Sequence, residues 1–110
     1  MSAERRFHPR KNVSFDVEVC LPDQQSFTVQ ATNLSFSGIQ ISANKLINDT
    51  ILSSCGHPAQ MILNLKASEH INGLSARLIV NRRTSHDAFL LGLKFINVSS
   101  EHQQLLLKLV

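Results

Sequence analysis

The chain has 110 residues, a hydrophobic fraction of 43% and a formal net charge of +3 at pH 7. This length suffices for one domain with a modest core, which needs neither disulfides nor a metal ion. No apolar run approaches the roughly 20 residues of a membrane span, and the polar start is unlike a signal peptide, so the sequence predicts a cytoplasmic chain without membrane insertion.

The basic charge is concentrated at the start of the chain. Residues 1–11 carry the whole net charge, through three arginines and one lysine against one glutamate, and the remainder is neutral. Such a cluster predicts a local anionic partner, although terminal basic runs are also often merely solvated. We interpret residues 1–12 as a flexible basic arm and residues 13–110 as the folded domain.

Alternation of apolar and polar residues dominates the rest of the chain and predicts six strands. Their apolar positions run from Val13 to Val19, Phe27 to Ala31, Ile39 to Ile41, Met61 to Leu65, Leu74 to Val80 and Phe89 to Phe95. Six such strands must close or stack, because open edges and a wet apolar face are unfavourable. The sequence therefore predicts a mostly β fold, an antiparallel barrel.

Three segments depart from this alternation. Residues 43–58 have no steady period and predict a long connection with a helical turn, and residues 81–87 predict the turn before the last strand. Residues 99–110 have helical spacing, with Ser100 as the predicted N-cap and Gln103 as its capping-box partner. The apolar stripe of this helix predicts that it closes a barrel mouth, and it is also compatible with a homodimer.

No catalytic or metal-binding constellation is recognisable. The five histidines are scattered without ligand spacing, the carboxylates are isolated, and Ser35 has no base beside it. The chain also lacks the motifs of a nucleophile elbow and of a phosphate-binding loop. The sequence therefore predicts a binding protein rather than an enzyme, with neither cofactor nor metal.

Two arginines of the arm are spaced for a small anionic ligand. Pro9 disfavours helix at the preceding residue, so the arm should be extended there. Arg6 and Arg10 would then point the same way, roughly 13 Å apart at about 3.3 Å per residue. This distance suits a dinucleotide, and arginine both pairs bidentately with phosphate or guanine and stacks on purines.

A polar turn with the sequence NLSFSG separates the second and third strands. Asn33 can accept and donate hydrogen bonds at a base edge, Ser35 adds a hydroxyl, and Gly38 permits a positive φ or a close backbone approach. The same residue types would also serve an ordinary turn.

Together, Arg6-x-x-x-Arg10 and Asn33-x-Ser35-x-x-Gly38 resemble the paired signature of PilZ domains, the bacterial receptors for cyclic di-GMP. The order of arm, six strands, the segment LGLKF and a terminal helix is similar to that family over nearly the whole chain. The resemblance implies that Arg6 and Arg10 grip the guanine bases and phosphates. It also implies that Asn33, Ser35 and Gly38 contact a guanine from the barrel surface.

Two details refine what the resemblance implies. An arginine directly before the first motif, here Arg5, accompanies the binding of two intercalated cyclic di-GMP molecules in that family, so a stacked ligand dimer is expected. The second motif more often begins with Asp. Asn33 accepts hydrogen bonds without charge assistance, and we therefore expect weaker binding rather than none.

Three functions remain in view at this stage. The leading one is a cyclic di-GMP effector whose arm becomes ordered on the barrel when ligand binds, which changes the surface offered to an unidentified downstream protein. The second is a ligand-independent adaptor in pilus or flagellar control. The third, a barrel that binds single-stranded nucleic acid, is disfavoured because Trp and Tyr are absent and the strand phenylalanines read as core, so we expect no DNA or RNA partner.

The remaining basic residues have a plainer interpretation. Arg77, Arg82, Arg83 and Lys94 could assist the phosphates of a ligand, but we interpret them as solvated strand ends.

Overall fold

The computed structural model describes residues 10–110, which form six strands and two helices. The strands are β1 (Lys11–Cys20), β2 (Ser26–Leu34), β3 (Gly38–Ala43), β4 (Gln60–Lys66), β5 (His70–Ser85) and β6 (Ala88–Phe95). The helices are α1 (Lys45–Ser54) and α2 (Ser100–Leu109). The predicted flexibility of residues 1–9 and the spacing of Arg6 from Arg10 lie outside the described residues.

The strands close into a barrel in the order β1-β2-β3-β6-β5-β4, and every neighbouring pair is antiparallel. The predicted six-stranded antiparallel barrel with a C-terminal helix is confirmed. Alternate residues of each strand point inward, so the apolar positions of the sequence pattern fill the interior. The largest fully buried side chains include Val17, Val19, Leu34, Ile41, Leu63, Leu65, Leu74, Leu91 and Leu93.

The four strand phenylalanines belong to this core. Phe89 and Phe95 are buried, and Phe15 and Phe27 are partly buried side chains that pack against the buried cluster. Their interpretation as core residues, rather than as exposed platforms for stacked bases, is therefore supported by their burial.

The start of β1, the β2–β3 turn and the end of α2 share one end of the barrel. Lys11 pairs with Leu34 at the end of β2, so the strand includes two residues that the sequence pattern assigned to the arm. The Nζ of Lys11 also donates to the carbonyl oxygen of Leu109 at 3.3 Å. Leu106 and Leu109 are buried. Helix α2 thus covers this end of the barrel.

Helix α1 replaces most of the predicted connection over residues 43–58. Asn44 caps it, because its side chain accepts a hydrogen bond from the N–H of Ile47 at 2.9 Å. Ile51 is fully buried, and the Oδ1 of Asn48 accepts from Nδ2 of Asn81 at 2.8 Å. The helix is stabilised by these few docking contacts, which are too sparse to give the sequence a clear period.

Strand β5 is longer than predicted. It continues to Ser85, so the turn expected over residues 81–87 is reduced to His86 and Asp87. The register of β4 with β5 ends at Gln60–Arg77 in the described part of the chain, and residues 79–85 pair on one side only, with β6. A strand segment that is exposed and rich in arginine has the composition of a turn, which explains the error.

A register shift between Leu78 and Val80 overturns one predicted core position. The shift inserts an extra residue and moves Val80 to the outer face, where it lies opposite Gly92 and is 48% exposed. Strict alternation along the sequence cannot show such a bulge.

The N-cap of α2 is Ser99 rather than Ser100. Ser99 has extended backbone angles, and its Oγ accepts from the N–H of His102 at 3.1 Å. The side chain of Gln103 donates to the carbonyl oxygen of Val98 instead of closing the predicted capping box. The helix therefore begins at the second serine of the pair.

Candidate functional site

Ser35 organises the β2–β3 turn from inside. Its side chain is buried, and its Oγ accepts from the N–H groups of Ser37 at 3.2 Å and Gly38 at 3.1 Å. The N–H of Ser35 also donates to the carbonyl oxygen of Gly38 at 2.9 Å. The hydroxyl is thus fully used by the turn, which indicates that Ser35 shapes the site from below instead of presenting a free group to a ligand.

Gly38 is required by the close approach of β3 to β6. A Cβ at this position would lie 2.5 Å from the carbonyl oxygen of Leu93. Of the two reasons predicted for a glycine here, the close backbone approach is therefore the correct one, because Gly38 does not have a positive φ.

Asn33 joins the two sequence motifs. Arg10 donates from Nη1 to Oδ1 of Asn33 at 3.1 Å, although 23 positions separate them in the chain. Nδ2 of Asn33 donates to Oε1 of Gln40 at 2.8 Å, and Oγ1 of Thr32 donates to the same Oε1 at 2.9 Å. The fold therefore places a guanidinium, an amide pair and a hydroxyl side by side on the barrel surface.

Two further cations border the turn on the far side of β3. Lys94 of β6 lies directly opposite Gly38, and Arg77 of β5 lies directly opposite Lys94. Opposed residues of antiparallel strands project from the same face, so these like charges repel each other. Neither forms an ion pair within residues 10–110. Together with Arg10, they give the turn a positively charged surrounding, which a bound anion would neutralise.

The structure brings together four of the six residues predicted for the site, and Arg5 and Arg6 lie outside the described residues. Arg10, Asn33 and Gly38 face or border the surface, whereas Ser35 lies beneath it. Sequence reasoning missed Gln40. The pairing of β2 with β3 could have identified it, because a polar residue between Ile39 and Ile41 must point outward and lie beside the end of β2.

Neither helix of residues 10–110 has the length and apolar character to cross a membrane. Within the same range, no three histidine, cysteine, aspartate or glutamate side chains are grouped so that they could share a metal ion.

Comparison with solved structures shows extensive similarity of fold. The PilZ domain of YcgR from Escherichia coli, solved with c-di-GMP, matches with a TM-score of 0.74 at 15% identity, over 97% of this chain and 89% of that one. MrkH of K. pneumonia in its c-di-GMP complex matches with a TM-score of 0.73 at 14% identity, over 97% of this chain and 51% of that one.

A third similar structure is PlzA of Borreliella burgdorferi in complex with c-di-GMP. Its TM-score is 0.66 at 18% identity, over 91% of this chain and 51% of that one. The present chain therefore spans about half the length of MrkH and of PlzA. No curated protein matches it in sequence.

The family comparison covers the arm and the barrel together. The model of the PilZ domain matches residues 4–110, a range that includes both arginines of the first motif and the whole of the β2–β3 turn. This chain belongs to the PilZ domain family.

Proposed function

We propose that this chain is a non-catalytic receptor for cyclic di-GMP. The observation that carries the proposal is the direct contact between Arg10 and Asn33, which unites the arm motif and the turn motif on one surface. The similar structures of YcgR, MrkH and PlzA, each solved with c-di-GMP, support the choice of ligand.

Each residue around the turn has a different role in the proposed binding. Arg6 and Arg10 hold phosphates and stack on the guanine rings, since the guanidinium plane serves both purposes. Oδ1 of Asn33 accepts from the N1–H and N2–H groups of a guanine. Gly38, which has no side chain, leaves room for the base beside the turn, and Ser35 holds the turn in shape.

The surrounding charge favours a dianionic ligand. Lys94 and Arg77 repel each other across β5 and β6 in the free protein. Two phosphates nearby would attract both cations and so offset that repulsion. Arg5 provides a further guanidinium for a second ligand molecule stacked on the first. This arrangement predicts a stoichiometry of two cyclic di-GMP per chain.

Ligand binding also acts on the arm. Neutralising the net charge of +3 over residues 1–11 removes its self-repulsion and closes the arm over the β2–β3 turn. The closed arm presents a different surface to a downstream protein. In an NMR titration, the amide signals of residues 1–9 should lose mobility when ligand is added, and residues 1–9 that are already rigid without ligand would contradict this step.

Isothermal titration with cyclic di-GMP tests the receptor function. The unmodified chain should bind it in preference to GTP and cyclic di-AMP, and Arg6→Ala and Arg10→Ala should each abolish the heat. Arg82→Ala is the matched control, because it removes the same charge from β5 away from the turn. Absence of binding to any nucleotide would favour a ligand-independent adaptor instead.

A further inference from the structure

An asparagine at the start of the turn motif creates a problem of orientation that an aspartate would not have. A carboxylate offers two equivalent acceptor oxygens, whereas the amide of Asn33 offers an acceptor on one side and a donor on the other. Rotating the amide by half a turn exchanges the two groups. A site that reads a base through Asn33 must therefore fix which group faces the ligand.

A chain of hydrogen bonds fixes that orientation in the structure. The guanidinium of Arg10 can only donate, so the atom facing it across an exposed hydrogen bond of 3.1 Å is Oδ1. Nδ2 then points the other way and donates to Oε1 of Gln40 across a partly buried bond of 2.8 Å. The hydroxyl of Thr32 also contacts this amide pair, at 2.9 Å from the same Oε1 and 3.3 Å from the backbone carbonyl oxygen of Gln40.

When a ligand displaces Arg10 from Asn33, the bond from Nδ2 of Asn33 to Oε1 of Gln40 remains. We infer that Gln40 is a positioning residue that keeps Oδ1 of Asn33 turned outward and thereby sets a preference for guanine over adenine. Guanine presents N1–H and N2–H donors, which need an outward acceptor. Adenine presents the N1 acceptor at the corresponding position, which would pair with the rotated amide. The inference rests on the proposed receptor function.

Gln40→Met is the informative substitution, since methionine keeps the length of the side chain but removes the acceptor. Losing one hydrogen bond that orients Asn33 should weaken cyclic di-GMP binding about 3- to 10-fold. Cyclic di-AMP binding should weaken less, so the dissociation constant of cyclic di-AMP divided by that of cyclic di-GMP should fall. Gln30→Met is the matched control, because Gln30 is an exposed glutamine of β2 whose side chain contacts Ser14 and Asp16.

The same substitution in an Asn33→Asp background separates positioning from folding. A carboxylate needs no orienting partner, so Gln40→Met should change cyclic di-GMP affinity by less than about 2-fold there. Equal losses in both backgrounds, or an unchanged ratio of cyclic di-GMP to cyclic di-AMP affinity, would overturn the role of Gln40 alone. If neither the unmodified chain nor Asn33→Asp binds cyclic di-GMP, the proposed function falls, and the inference falls with it.

Discussion

Replacing Gly38 by alanine tests how tightly β3 approaches β6 at the base of the site. The added Cβ would lie 2.5 Å from the carbonyl oxygen of Leu93, and real Cβ atoms essentially never come within 3.0 Å of another heavy atom. The obstacle is backbone and cannot rotate away. The two strands must therefore separate by the difference, at least about 0.5 Å.

The cost of that separation follows from the contacts it disturbs. Overpacking of this kind typically costs about 1–3 kcal/mol. Moving β3 also stretches the bond from Phe95 N–H to the Ser37 carbonyl oxygen, now 3.0 Å, and the bond from Gly38 N–H to Ser35 Oγ, now 3.1 Å. Weakening these bonds adds about 1 kcal/mol, for a total of about 2–4 kcal/mol. At about 4 °C per kcal/mol, Tm should fall by about 8–16 °C.

Urea denaturation followed by far-UV circular dichroism measures this loss, since the chain has neither Trp nor Tyr for fluorescence. Gly92→Ala is the control: its Cβ would lie 3.1 Å from the Cβ of Val80, so the strands need to give by only a few tenths of an ångström, and the cost should stay below about 1 kcal/mol. A Gly38→Ala protein within about 0.5 kcal/mol of the unmodified chain, or no less stable than Gly92→Ala, would refute the argument.

Three further outcomes are expected. Ser35→Ala should cost about 1–3 kcal/mol of unfolding free energy, because two turn N–H groups lose their acceptor. The control Ser37→Ala, at an exposed position, should cost less than about 0.5 kcal/mol. Equal values for the two variants would contradict the turn geometry. Ser99→Ala should cost about 1 kcal/mol and Ser100→Ala less than half as much, and the reverse order in thermal melts would restore the sequence-based cap. Burial raises the pKa of the Cys55 thiol, so a smaller fraction of it is thiolate at a given pH. Its alkylation by iodoacetamide should therefore reach half-maximal rate at a higher pH than the alkylation of free cysteine. A lower midpoint would contradict this expectation.

The barrel could be predicted because burial on one face of a strand produces alternating apolar and polar residues in the sequence. Val17, Val19, Leu63 and Leu65 alternate with polar residues and are all fully buried. The second half of β5 shows no such alternation, since among the described strands it pairs only with β6 and exposes its side chains. Bulges are equally hidden, as Val80 shows.

At the candidate site, the sequence names residues but does not show which of them contact one another. Ser35 reads as a ligand contact in the sequence, yet its buried hydroxyl is satisfied by the turn itself. The contact between Arg10 and Asn33 depends on the β1–β2 register, which spacing along the chain does not reveal. Gln40 belongs to no motif, and only its position across the hairpin connects it to Asn33.

The overhang of β5 beyond β4 has a consequence for self-association. Within residues 10–110, residues 79–85 have no strand partner along one edge, and backbone N–H and C=O groups on such an edge can pair with a strand of another molecule. Here the edge carries Arg82 and Arg83, and register shifts at Leu78/Val80 and Arg83/Ser85 distort it on both sides. A second copy aligned along it would bring arginines together and meet an irregular, twisted backbone. The hairpin that projects from the barrel thus carries its own protection against intermolecular sheet growth.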